Sequence, residues 1–310
     1  MTKKAYCFIF IIFLIVLIAA GCYNYKEDKE ESYMNINIFK NSDVWGLAQE
    51  VNRQNVTKIK EISKKDPELL NYQDKEYDLT LLIWAVGTEK YNSAEALLQS
   101  GANPDIISEY FGYNALYLAS GYSWVDNSQA KKDAKYVKLL LKYNADPNIC
   151  FAGSAGDTMT EIGTSPLIES VYCGIDKTKA LIDGGADLNY KTPSGRTAAI
   201  ESLYALGPNS TIDPMRVAHY LIAEKKAAVT DSYKPLRSMN PDPNEKFFPV
   251  DLLRYWMPEL DTEEHYLKLE VIDEFENQGV DYWSTPILPR LLDQIKKRYP
   301  QTWPDYIKRY

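Results

Sequence analysis

AKYVKLLLKYNADPNI, residues Ala134 to Ile149, reads as one helix followed by a built stop. Tyr136, Val137, Leu139, Leu140 and Leu141 set an apolar stripe at helical spacing. Asn144 falls where the helix must end, and asparagine tolerates the left-handed conformation that closes a helix. Asp146-Pro147-Asn148 then predicts a turn, because proline fixes φ and Asp or Asn side chains satisfy nearby backbone amides.

The same sentence recurs along the chain. EALLQSGANPD runs from Glu95 to Asp105 and KALIDGGADLN from Lys179 to Asn189, with weaker copies at Arg216 to Val229 and Leu267 to Tyr282. The small residues Ala102, Ala145, Ala186 and Ala227 align at spacings of 43, 41 and 41. A long fixed period of this kind predicts a stacked solenoid. A second element precedes each copy: TLLIWAV from Thr80, GYNALYLAS from Gly112, GTSPLIESV from Gly163 and GRTAAIESL from Gly195. Thr80, Asn114, Ser165 and Thr197 are expected N-caps, whose side-chain oxygens accept orphan amide protons. Pro166 occupies a first helical position, where its missing N–H costs nothing.

These residues resemble the ankyrin repeat, which has a turn, a short helix opening T-P-L-H, and a second helix ending L-L-x-x-G-A-D. SPLI at Ser165, GANPD at Gly101 and GGADLN at Gly184 carry the likeness, which spans residues 39–282. The sequence departs from it by placing Ile83, Tyr117, Ile168 and Ile200 in the histidine slot. Its period also exceeds the usual 33 residues or so, through insertions such as Tyr122 to Lys132 and Phe151 to Ile162. The resemblance implies an all-α solenoid of helix–turn–helix units with long inter-repeat loops and a protein-binding role.

Residues 1–21 are expected to be a signal peptide, with Lys3 and Lys4 before the apolar run Phe8 to Ile18 and small residues ahead of Cys22. The order Ala19-Ala20-Gly21-Cys22 resembles a bacterial lipoprotein signal, which implies acylation of Cys22. Tyr23 in the next position implies sorting to an outer membrane, facing the periplasm. Residues 22–38 read as a flexible tether, Asp43 to Asn71 as an N-terminal capping helix pair, and residues 283–310 as closing helices in which Ile287, Leu288, Leu291, Leu292 and Ile295 seal the stack.

The net charge of −8 becomes −10, with 33 basic and 43 acidic residues, once Lys3 and Lys4 leave with the signal. That balance lacks the basic footprint of a nucleic-acid binder and suits a basic protein partner. Enzyme signatures are thin. His219 and His265 stand alone on helices, and no metal-ligand cluster, P-loop or nucleophile elbow is present. No cofactor is expected. Cys150 and Cys173 read either as a disulfide, possible in an exported chain, or as two separate thiols. Aromatics at the turns are the candidate partner-binding residues: Tyr77, Tyr110, Phe111, Tyr113, Phe151 and Tyr190, with Tyr122 and Trp124 in an insertion. Tyr77, Tyr113 and Tyr190 are expected to form an exposed row on one edge, which tyrosine suits because it buries large area at low entropic cost. The resemblance to exported ankyrin-type lipoproteins that neutralise antibacterial toxins implies an immunity protein. The alternative is a resident envelope scaffold or stress-response factor, and the remaining class is a hydrolase or redox enzyme.

Overall fold

The computed structural model describes residues 33–121, 123–125, 133–153, 160–204, 212–234 and 247–310. The signal peptide, Cys22 and Tyr122 lie outside the described residues.

Six helix pairs follow one another. They are α1 (Trp45–Arg53) with α2 (Val56–Lys65), α3 (Leu81–Gly87) with α4 (Tyr91–Gln99), and α5 (Ala115–Ser120) with α6 (Lys135–Lys142). Then come α7 (Pro166–Ser170) with α8 (Ile175–Asp183), α9 (Ala198–Tyr204) with α10 (Ile212–His219), and α11 (Pro249–Leu253) with α12 (Glu263–Asn277). α13 (Pro289–Arg298) and α14 (Trp303–Tyr306) close the chain. Helices this short are marginal alone, so packing must hold them. It does so in two ladders: α3, α5, α7, α9 and α11 stack in sequence, and α2, α4, α6, α8, α10 and α12 stack beside them. One continuous apolar core runs from Phe39 to Tyr282, and Leu140 has no exposed surface within it.

The inner helices start as their sequences predict. Thr80, Asn114, Ser165 and Thr197 each accept the N–H of the residue three positions on, at 3.1, 2.8, 3.3 and 3.2 Å. Five of the six outer helices, all but α2, also end alike. Gly101, Asn144, Gly185, Lys226 and Gly279 are all left-handed, with φ between +61° and +100°. The next residue then donates back into the last helical turn: Ala102 to Leu97, Ala145 to Leu140, Ala186 to Leu181, Ala227 to Leu221 and Val280 to Phe275, each within 3.1 Å. Lys226 follows a π-helical turn at Tyr220–Glu224, which explains why its copy of the pattern is weak in sequence.

The Asp-or-Asn turn does two jobs. Within a turn, Asn103, Asp146 and Asp187 each accept the N–H two residues on, at 2.9 to 3.0 Å. Between turns, Asn71, Asp105, Asn148 and Asn189 accept N–H groups of Asn103, Asp146, Asp187 and Ala228 in the next repeat, at 2.8 to 2.9 Å. The second set is a ladder of side chains tying each repeat to its neighbour.

Two expectations need correction. The tether does not extend to residue 38: Ile36–Phe39 is a 3-10 helix, Phe39 is fully buried, and the Met34 carbonyl accepts the Trp84 indole N–H at 3.2 Å. At the other end Leu288 is 48% exposed, because it caps α13 instead of lying on its buried side. Leu291 and Ile295 do seal the end, against Met257, Tyr306 and Tyr310.

Candidate functional site

The turn aromatics condense instead of lining up. Tyr33 meets Tyr77, Phe111 and Trp124 at ring-centroid distances of 6.1, 5.1 and 4.9 Å. Phe111 lies 5.4 Å from Tyr113, Tyr113 lies 6.0 Å from Tyr117, and Tyr117 lies 5.7 Å from Phe151. The Trp124 indole N–H donates to the Tyr113 hydroxyl at 3.2 Å. Tyr77, Trp124 and Phe151 are buried, Phe111, Tyr113 and Tyr190 are half-buried, and Tyr110 alone of the described candidates is exposed. The expected exposed row of Tyr77, Tyr113 and Tyr190 is therefore not the arrangement present. The rings gain more by covering one another than by facing water, since each aromatic pair adds roughly 0.5–1.5 kcal/mol to its burial. Tyr190 instead meets Cys150, and that hydrogen bond is the main reason its hydroxyl is pushed up to about 12.

A different row is exposed. Seven residues past each inner-helix cap stand Gly87, Gly121, Tyr172, Tyr204 and Tyr255. The three tyrosines are 51%, 38% and 37% exposed. Tyr204 ends α9, and Tyr172 and Tyr255 stand two residues past the ends of α7 and α11, three helices that stack in sequence. Tyr172 donates to Glu201 of the next repeat, and the Tyr204 ring meets Tyr233 edge-on at 5.6 Å. Sequence reasoning looked for aromatics at the turns between repeats; the signal missed was the recurrence of tyrosine seven residues past the inner-helix cap.

The carboxylates of these repeats have partners. Glu161 accepts the N–H and the hydroxyl of Ser194, each at 2.7 Å. Arg196 pairs with Glu201 and stands 4.0 Å from Glu161. Tyr117 donates to Glu169 at 3.2 Å, and burial pushes that carboxyl above its ordinary value. Exposed Asp251 accepts the Phe248 N–H at 3.3 Å.

Several further titratable groups have structural partners. Buried Lys177 donates to the Gly121 carbonyl at 2.7 Å. Cys150 and Cys173 are free thiols; burial pushes Cys173 to about 12, so it is held protonated and unreactive. His265 accepts the Asp261 N–H at 3.1 Å and lies 2.9 Å from the Arg309 carbonyl, while His219 contacts Glu224 and Glu270. Among the described residues no group of three His, Cys, Asp or Glu could hold a metal. A cavity of about 30 Å³ beside Lys177, Tyr136 and Asp133 has room for about one water molecule.

No protein-family model matches the chain, and no curated protein matches it. Among solved structures it is similar to the crystal structure of EF0377, an ankyrin repeat protein, at 19% identity and a TM-score of 0.50, over 76% of this chain and 98% of that one. The fold is an ankyrin-repeat solenoid. In ankyrin terms, the turn aromatics of the first repeats belong to the packed edge of the stack. The exposed tyrosines lie at or just past the ends of the inner helices of the later repeats.

Proposed function

We propose that the chain is a non-catalytic, lipid-anchored protein of the bacterial cell envelope that binds another protein, and that it acts as an immunity protein against a basic antibacterial toxin. An ankyrin-repeat fold supports a protein-binding role. The observation that carries the reading furthest is the row Tyr172, Tyr204 and Tyr255, exposed seven residues past the inner-helix cap in three successive repeats. Exposed aromatic clusters mark interaction surfaces. The anchor rests on the sequence Ala19-Ala20-Gly21-Cys22, and the choice of a basic partner on the charge of −8.

Two measurements test it. Mass spectrometry of the membrane-extracted protein should find a diacylated Cys22, absent from Cys22→Ala; an unmodified wild-type chain removes the anchor from the proposal. Cross-linking in intact envelopes should recover one stoichiometric partner, and deleting this chain should sensitise cells to it. A resident partner with no toxicity moves the function to the envelope scaffold, and recovery of no partner at all ends the protein-binding reading.

A further inference from the structure

Resting on the lipid anchor proposed above, we infer that the protein meets the bilayer through the edge of the second and third helix pairs where Tyr33 docks, with exposed Tyr110 and Val125 in the headgroup layer and the outer ladder turned away.

The anchored segment joins the domain there. Tyr33 packs on Trp124, Phe111 and Tyr77, the Met34 carbonyl accepts the Trp84 indole N–H, and Phe39 is fully buried. The chain coming from Cys22 is therefore fixed at this aromatic cluster. Cys22 and Tyr33 are eleven residues apart, and a fully extended chain of that length reaches at most about 40 Å. α11 stands four stacking intervals beyond α3, which adds about 32–40 Å at the usual separation of packed helices. The cluster is thus the part of the stack held nearest the membrane.

The surface around the dock suits that neighbour. Tyr110 meets Tyr77 and Phe111 at 5.0 and 4.9 Å yet is 51% exposed, and Val125, next to Trp124, is 54% exposed. Tyrosine favours the membrane–water interface, where its ring is covered and its hydroxyl stays wet. A patch this small would not hold a free protein on a bilayer. A short link to the anchor makes the contact intramolecular and raises its effective concentration to about the millimolar range, so a weak contact suffices. Lys75, Glu76 and Glu109 are exposed at the same two turns and make no basic footprint. Apolar seating, not attraction to anionic lipid, therefore selects the bilayer.

The test uses the full lipidated chain on phosphatidylcholine vesicles that carry a headgroup nitroxide. Cys150 is changed to Ser and buried Cys173 is kept. A nitrobenzoxadiazole label is attached through Glu109→Cys, or through Lys138→Cys or Tyr266→Cys on the outer ladder, three positions exposed in the wild type. Quenching with Glu109→Cys should exceed that at the two outer positions about threefold or more. Adding Tyr110→Ser and Val125→Ser should bring it down to their level, with flotation on vesicles and thermal midpoint unchanged. Inserting a Gly–Ser linker of about twenty residues after Ser32 should lower it about threefold or more without touching the fold. Mixing in phosphatidylglycerol should change it by less than about twofold.

Equal quenching at the three positions, or quenching with Glu109→Cys indifferent to the serine changes, overturns the proposal. A large gain with phosphatidylglycerol assigns the contact to headgroup charge and overturns it as well. If the serine changes abolish capture of the partner found by envelope cross-linking and leave quenching intact, the patch is a protein site and the proposal falls. Wild type that fails to float loses both the anchor and this contact; wild type that floats without the quenching pattern keeps the anchor and loses only the contact.

Discussion

The indole of Trp124 lies where a side chain on Gly87 would have to go. The ring is not free to retreat: its N–H bonds the Tyr113 hydroxyl, and Tyr33 and Phe111 pack on it at 4.9 and 5.8 Å. Through this contact the insertion after α5 is pinned onto α3, and the N-terminal segment onto both. Gly87→Ala should therefore lower stability by about 1–3 kcal/mol, the usual cost of overpacking. It should also shift the tryptophan emission. Gly46→Ala is the matched control: it lies within α1 with nothing within 4 Å of the added carbon, and should be neutral or gain about 0.5–1 kcal/mol. Equal thermal midpoints for the two variants would refute the contact.

Asn148 tests the ladder between turns. Its carbonyl oxygen accepts the Asp187 N–H at 2.8 Å, and its amide donates to the Gly185 carbonyl at 3.3 Å, both one repeat on. Asn148→Ala should cost about 0.5–1.5 kcal/mol. Asn148→Asp keeps the acceptor and should cost less. Hydrogen exchange at Asp187 should speed up in the alanine variant only; equal exchange in both would show that the turn holds without the link.

Lys268 sets a pH dependence. It is fully buried, donates to the Trp256 carbonyl at 2.6 Å and stands 4.1 Å from the Tyr310 ring centroid. Burial first, then the Arg254 charge, holds its pKa well below the ordinary lysine value. An unfolded lysine titrates near roughly 10.4, so between the lowered value and that one the unfolded chain binds more protons and stability rises with pH. Lys268→Met removes this contribution. Denaturant unfolding at about pH 7 and about pH 9.5 should show a smaller rise in the variant than in wild type, with stability at the lower pH equal or greater. An identical slope would place the proton elsewhere.

The repeating frame was legible in the sequence because it is local. The caps Thr80, Asn114, Ser165 and Thr197 and the stop at Asn144 act within a few residues, and each does what its type dictates. The alignment of Ala102, Ala145, Ala186 and Ala227 also holds, because all four are buried at the same closing bond. The face was not legible from the turns. Tyr77 and Tyr172 are both tyrosines in this frame, yet one is 1% and the other 51% exposed. The difference depends on Tyr33, Tyr110 and Phe111 converging on Tyr77, and nothing in a local window reports which distant rings meet. The docking of Tyr33 was hidden for the same reason: a polar, charged stretch precedes it, while its partner Trp124 lies in an insertion far along the chain.

Tyr113 separates packing from binding. On an exposed edge, Tyr113→Ala would weaken a partner and leave the fold intact. The structure gives it a structural task. It stacks between Phe111 and Tyr117 at 5.4 and 6.0 Å and accepts the Trp124 indole N–H. Burial raises its hydroxyl pKa above the ordinary tyrosine value. Removing the ring opens a hole in the aromatic cluster and leaves the indole N–H without its acceptor. Tyr113→Ala should cost about 3–5 kcal/mol, as large aromatic truncations do. Tyr113→Phe keeps the stack and loses only the acceptor, so about 1–3 kcal/mol is expected from the unpaired indole. Tyr204→Ala, by contrast, should change the thermal midpoint less, because Tyr204 is 38% exposed and meets Tyr233 edge-on instead of standing inside the aromatic cluster. Calorimetry on the three variants ranks them: Tyr113→Ala least stable, Tyr113→Phe between, and Tyr204→Ala nearest wild type. A Tyr113→Ala midpoint as high as that of Tyr204→Ala would return Tyr113 to the surface.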